Sequence, residues 1–76
     1  MISDQELHER FIYHSVSDEA SERIHTIRTL AKALARYIIA NTPESREQSL
    51  AVTHIEEATF WANAAIARHD ERSIPI

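Results

Sequence analysis

The fold is decided by residues 17–40, which read SDEASERIHTIRTLAKALARYIIA. Ser17 is a preferred helix N-cap residue, and Asp18 and Glu19 follow it in the first turn, where the helix dipole favours negative charge. Apolar residues then recur at alternating spacings of four and three, which places them in one seam along a helix. The predicted seam consists of Ala20, Ile24, Ile27, Ala31, Leu34 and Ile38. This stretch therefore predicts one long helix that ends near Ala40.

Residues 41–44, NTPE, separate this helix from a second helical pattern. Asn41 can end the first helix, Thr42 can cap the next one, and Pro43 suits its first helical position. The next helix repeats the four-three spacing with mostly small residues, which allow two helices to approach closely. Its predicted seam consists of Ala51, Ile55, Ala58, Ala62 and Ala65. Because the turn is short, we predict that the two long helices lie antiparallel as a hairpin.

The residues before the hairpin predict a short helix and a connector. Ser3 and Glu6 match a capping box, so a short first helix is predicted from Ser3 to about Arg10. Residues 11–16, FIYHSV, are apolar and aromatic without helical periodicity, and we interpret them as a connector packed on another element. The predicted fold class is all-α, with a short N-terminal helix and a long antiparallel helical hairpin in one domain over residues 1–76.

The composition predicts that the hairpin needs a further source of stability. A chain of 76 residues buries a small fraction of its surface, and this one has no cysteine for disulfides or thiolate metal ligands. The last helix also carries apolar residues beside its seam, which cannot all face one partner helix. These residues are Leu50, Val52, Phe60, Trp61 and Ile66. Either the N-terminal segment or another subunit must cover them, and we predict a homo-oligomer.

Charge and composition disfavour several classes of function. A net charge of −4 argues against DNA as a partner, because binding to a phosphate backbone relies on a clustered basic surface. The chain contains no glycine, which excludes the usual phosphate-binding loops and glycine-rich nucleophile turns. We predict no enzymatic activity and no cofactor. No apolar run approaches bilayer length and no signal-peptide pattern is present, so we expect a cytosolic protein without a membrane partner.

A metal site is an alternative interpretation of two residues on the last helix. His54 and Glu57 lie one turn apart, and either His25 or Glu22 of the preceding helix could face them, as in di-metal helical bundles. Such bundles place more carboxylates around the metal than this pattern offers. We therefore interpret residues 54–57 as a solvated stretch and predict no metal site.

A basic stripe on the first long helix is the feature of most functional interest. Arg28, Lys32 and Arg36 follow one another at i, i+4, off the apolar seam. On an arbitrary helix such residues would pair with carboxylates or stay solvated. The candidate acidic partners are Glu44, Glu56 and Glu57. Tyr13 in the connector either packs or stacks on a nucleobase while a nearby Arg holds a phosphate, and the patterns alone leave both alternatives open.

Five short stretches carry a family resemblance. They are YH at 13–14, ERI at 22–24, IR at 27–28, SLAVTHIEEA at 49–58 and FWANAAI at 60–66. Over roughly residues 11–68 the chain resembles a phage family, the anti-CBASS cyclic-nucleotide sponges, whose helical hairpin is shared with one class of Thoeris anti-defence sponges. The resemblance implies a compact hexamer in the host cytoplasm that binds cyclic di- or trinucleotide immune messengers and holds them without cleaving them.

The resemblance also implies where the ligand binds, which is between subunits. It assigns stacking on a base to Tyr13 and the role of the family's basic residue to Arg28, fifteen positions later. Lys32, one turn further along, is a candidate for a further phosphate contact. Many family members carry an Arg that belongs to a second pocket, which binds trinucleotides. This sequence has Ala64 at that position, and Arg68, one turn later, is the candidate replacement. The alternative is a ligand-free structural oligomer or interaction module, which would show no thermal shift with nucleotides.

Overall fold

The structure is a computed structural model that describes residues 1–12, 14–69 and 74–75. Within this part of the chain, three helices dominate and two very short strands pair with each other. In chain order the elements are α1 (Asp4–Phe11), β1 (His14–Ser15), α2 (Asp18–Asn41), α3 (Arg46–His69) and β2 (Ile74–Pro75). The predicted all-helical hairpin is confirmed. Among the residues described, none of the helices combines the length and hydropathy that a bilayer crossing requires.

The predicted N-caps of the first two helices are confirmed. Ser3 Oγ accepts a hydrogen bond from the Glu6 backbone N–H at 3.1 Å. Ser17 Oγ accepts one from the Ala20 backbone N–H at the same distance, 3.1 Å. Each bond satisfies a backbone donor that lacks a partner within its own helix. Local side-chain chemistry therefore sets where both helices begin.

The start of α3 differs from the prediction. Thr42 does not cap this helix and Pro43 is not its first residue, because α3 begins at Arg46. Ser45 Oγ instead accepts a hydrogen bond from the Gln48 backbone N–H at 3.1 Å. The Thr42 hydroxyl is already engaged with the preceding helix, since it caps α2 and donates to a carbonyl oxygen there at 2.7 Å.

We expect Ser45→Ala to lower the free energy of unfolding by about 1 kcal/mol, because it removes the side chain that caps α3. Ser49→Ala is the matched control, since it makes the same change one turn later at an exposed position inside the helix. Denaturant unfolding followed by circular dichroism measures both variants. Equal stabilities for the two would contradict the assignment of Ser45 as the cap.

Most of the predicted seam residues of α2 and α3 are buried or half-buried, as expected, but three of them are not. Leu34, Ala58 and Ala65 were expected inside the hairpin, but all three are exposed. The next residue along the chain is half-buried in each case, namely Ala35, Thr59 and Ile66. A straight helix drifts by about 20° per heptad relative to a strict 3.5-residue repeat. Over a helix of 24 residues the drift reaches about 70°, less than the angle of about 100° between neighbouring residues, so it displaces single seam positions and not the whole seam.

The hairpin forms a thin layer with little interior. The Cα atoms extend over 44 × 33 × 13 Å, and among the described residues Ala20 alone is fully buried. The chain exposes 6249 Å², about a third more than the roughly 4,700 Å² of a compact monomer of its mass, 8.7 kDa. Both faces of the hairpin are therefore open surfaces.

Candidate ligand-binding groove

A groove runs between α2 and α3 on one face of the hairpin. Its floor is half-buried and consists of Ala31, Ala35, Val52, Ile55 and Thr59. Its rims are exposed and differ in charge. Arg28 and Lys32 form the rim on α2, and Glu56 and Phe60 form the rim on α3. We call this feature the α2–α3 groove.

Helix periodicity explains why these four side chains share the groove. Arg28 and Lys32 are one turn apart on α2, and Glu56 and Phe60 are one turn apart on α3. Residues four apart project from the same side of a helix. Each pair lies beside the half-buried seam of its own helix. When the two helices pack antiparallel, the cations of α2 therefore lie across the groove from the carboxylate and the aromatic ring of α3.

The cations of the stripe are not neutralised by carboxylates in the described part of the chain. Arg28, Lys32 and Arg36 form no ion pair there. The ion pairs that do form lie within single helices: Arg10–Glu6 at 2.9 Å, Arg23–Glu19 at 3.1 Å and His54–Glu57 at 3.9 Å. The interpretation that the stripe pairs with acidic residues across the hairpin is therefore wrong for these residues, and the alternative that they stay solvated agrees with their exposure. Unpaired cations beside a groove attract an anionic ligand.

Tyr13, the predicted stacking residue, lies outside the described residues. The residues that follow it form β1, in which His14 is opposite Pro75 and Ser15 is opposite Ile74 of β2. The prediction that the connector packs on another element is thus confirmed for β1, and its partner is a segment that follows α3.

Arg68 lies in a different cleft from the other predicted site residues. It is half-buried at the end of α3 and faces α1, where Arg10 and Glu6 also line the cleft. The structure therefore brings Arg28 and Lys32 together but does not bring Arg68 to them. This second cleft has two carboxylates, Glu6 and Glu9, beside two guanidinium groups, so it lacks the excess of cations over carboxylates that the α2–α3 groove has.

The His54–Glu57 pair has no third metal ligand among the residues described. The imidazole Nδ1 lies 3.9 Å from the carboxylate Oε1, and both side chains are largely exposed. No group of three or more His, Cys, Asp or Glu side chains surrounds a common point in that part of the chain. His25 and Glu22 therefore do not complete a ligand set with this pair.

The sequence pattern did not assign Glu56 or Phe60 to a ligand site. Glu56 was interpreted as part of a solvated stretch, and Phe60 as part of an apolar face. The Phe60 side chain is 64% exposed at the groove rim. One signal could have indicated Glu56 and Phe60. They are four residues apart beside the α3 seam, and Arg28 and Lys32 have the same spacing beside the α2 seam.

Comparison with known proteins identifies a family for most of the chain. The family model described as Acb2/Tad1, hairpin domain, matches residues 3–67. That range includes all of α1 and α2, every lining residue of the α2–α3 groove, and α3 except its last two residues. No curated protein and no solved structure matches the chain.

Proposed function

This chain belongs to the Acb2/Tad1 hairpin-domain family, and we propose that it binds and sequesters cyclic oligonucleotide immune messengers without cleaving them. In this proposal it is a phage anti-defence protein that lowers the free messenger concentration in the host cytoplasm. Family membership supports the ligand class. The observation that carries the proposal is the pair of cations, Arg28 and Lys32, which line the groove without an ion-pair partner among the described residues.

The chemistry of the groove suits a cyclic dinucleotide, which presents two phosphates and two flat bases. Arg28 offers a planar fork that can hold a phosphate through two hydrogen bonds, and Lys32 offers a compact charge beside it. The exposed ring of Phe60 provides a stacking face, and Tyr13 is the proposed second one. Stacking on an aromatic ring contributes about 1–3 kcal/mol per base.

We further propose that the protein acts as a homo-oligomer, with a hexamer as the form that the resemblance implies. The support is an apolar face on the other side of the hairpin seam, formed by Ile27, Leu30, Leu34, Ala58 and Ala62. Leu30 is 65% exposed and Leu34 is 51% exposed, so this face leaves large apolar side chains in water. A two-fold interface would also supply Arg28 twice, in keeping with the two-fold symmetry of a cyclic dinucleotide.

Arg68 is our candidate for a second pocket of the trinucleotide type. Ala64 carries no charge, and Arg68 is the half-buried cation of the cleft beside α1. This pocket would be separate from the α2–α3 groove. Cyclic trinucleotides that bind in the presence of a saturating cyclic dinucleotide would support two separate pockets.

Calorimetric titration with a panel of cyclic di- and trinucleotides tests the proposed function. We expect at least one compound to bind saturably and to raise the melting temperature, because a ligand that binds only the folded state stabilises it. Linear dinucleotides of the same bases serve as controls. If no cyclic compound produces heat or a thermal shift, the ligand-free structural oligomer is the better account.

We expect the bound messenger to be recovered intact after prolonged incubation. The reason is that sequestration requires only contacts to phosphates and bases. In the described groove lining the one hydroxyl is that of Thr59, which donates a hydrogen bond to the Ile55 carbonyl oxygen at 2.8 Å and has no histidine beside it to activate it. Heat denaturation of the complex followed by mass spectrometry of the released ligand measures this. A linear or monomeric nucleotide among the products would contradict a sponge function.

A further inference from the structure

The two rims of the α2–α3 groove carry opposite charges, whereas a site that binds only phosphate needs only the positive one. Glu56 lies on the rim opposite Arg28 and Lys32, and it forms no ion pair with either of them in the described structure. A carboxylate repels phosphate, so the phosphates of a bound nucleotide are confined to the α2 rim. The α3 rim is then left to the uncharged parts of the ligand, and of these the base matches the aromatic ring of Phe60 on that rim.

Resting on the proposed function, we propose that Glu56 selects guanine-containing cyclic dinucleotides by accepting hydrogen bonds from the edge of the base. The groove floor supports this orientation, because it is half-buried and mainly apolar, with the short side chains of Ala31 and Ala35 beside the α2 rim, and such a surface suits the flat face of a base. Phe60 lies one turn beyond Glu56 on the same rim, where its exposed ring can stack on that base.

The donors and acceptors on the bases set the expected order of preference. A carboxylate only accepts hydrogen bonds, and guanine offers two adjacent donors, its ring N–H and its exocyclic amino group. Adenine offers one amino donor beside an acceptor nitrogen. Uracil offers one N–H between two carbonyl oxygens, which repel a carboxylate. Glu56 therefore favours guanine over adenine and adenine over uracil.

The experiment compares the wild-type protein with Glu56→Gln and with Glu57→Gln as the matched control. Glu57 is the next residue, lies outside the groove lining and pairs with His54 at 3.9 Å. Each protein is titrated with cyclic di-GMP, cyclic di-AMP and cyclic di-UMP at one salt concentration. The readout is the ratio of affinities, because removal of a negative charge strengthens the binding of every anionic ligand to a similar extent.

We expect the wild-type protein and Glu57→Gln to prefer cyclic di-GMP to cyclic di-UMP, and Glu56→Gln to reduce that preference by about tenfold or more. A wild-type protein without a guanine preference overturns this inference and leaves the proposed function intact. An equal gain in affinity for all three ligands in Glu56→Gln also overturns it, because Glu56 would then be only a repulsive charge. A wild-type protein that binds no cyclic nucleotide overturns both proposals.

Discussion

The double variant Arg28→Ala/Lys32→Ala is expected to bind cyclic dinucleotides at least about a hundredfold more weakly than the wild-type protein. A hydrogen bond to a charged group contributes about 1.5–3 kcal/mol, and each 1.4 kcal/mol corresponds to a factor of about ten in affinity. Both side chains are exposed and make no ion pair in the described part of the chain, so the variant should keep its fold. Calorimetry measures the affinity, and circular dichroism checks the helix content.

Arg36→Ala is the matched control for the single variant Arg28→Ala. Arg36 belongs to the same stripe and has the same charge, but it does not line the α2–α3 groove. We expect Arg28→Ala to weaken binding by at least about tenfold and Arg36→Ala to have a much smaller effect. Equal losses would indicate general electrostatic attraction instead of a site. Unchanged affinity in the double variant would place the site outside this groove.

The helices could be predicted because their signals are local. Ser3 and Ser17 each cap a helix through a hydrogen bond to a backbone N–H three residues later. The cap of α3 was assigned wrongly because Thr42 and Ser45 are both capable caps within the same short turn. The choice between them depends on the Thr42 hydroxyl, which bonds to the end of α2. That bond depends on the geometry of the turn, which residue type alone does not indicate.

The candidate site could be predicted only in part, because periodicity assigns faces within a helix but not the register between helices. Arg28 and Lys32 were identified from the stripe that they form on α2. Glu56 and Phe60 become their neighbours only when α3 is placed against α2, and that placement depends on where α3 begins. Leu34 illustrates a separate limit, because the four-three spacing assigned it to the α2 seam although the half-buried residue there is Ala35.

We expect Leu34→Glu to convert the proposed oligomer into single subunits that remain helical. Leu34 was predicted to lie inside the hairpin, but it is 51% exposed and lines the apolar face. Full burial of a leucine contributes about 1.5–3 kcal/mol, and a symmetric assembly repeats this contribution in every subunit. A carboxylate at this position would also have to be desolvated in the interface. Size-exclusion chromatography with light scattering measures the mass.

Two neighbouring substitutions separate assembly from folding. Ala33→Glu introduces the same side chain at an exposed position that does not line the apolar face, so the oligomer should persist. Ala35→Glu places it at a half-buried position between α2 and α3, so helix content itself should fall. An assembly through the apolar face requires all three results. Two results would contradict assembly through this face. One is a wild-type protein with the mass of a single subunit at micromolar concentration, and the other is an unchanged mass in Leu34→Glu. In either case no partner would cover Leu34.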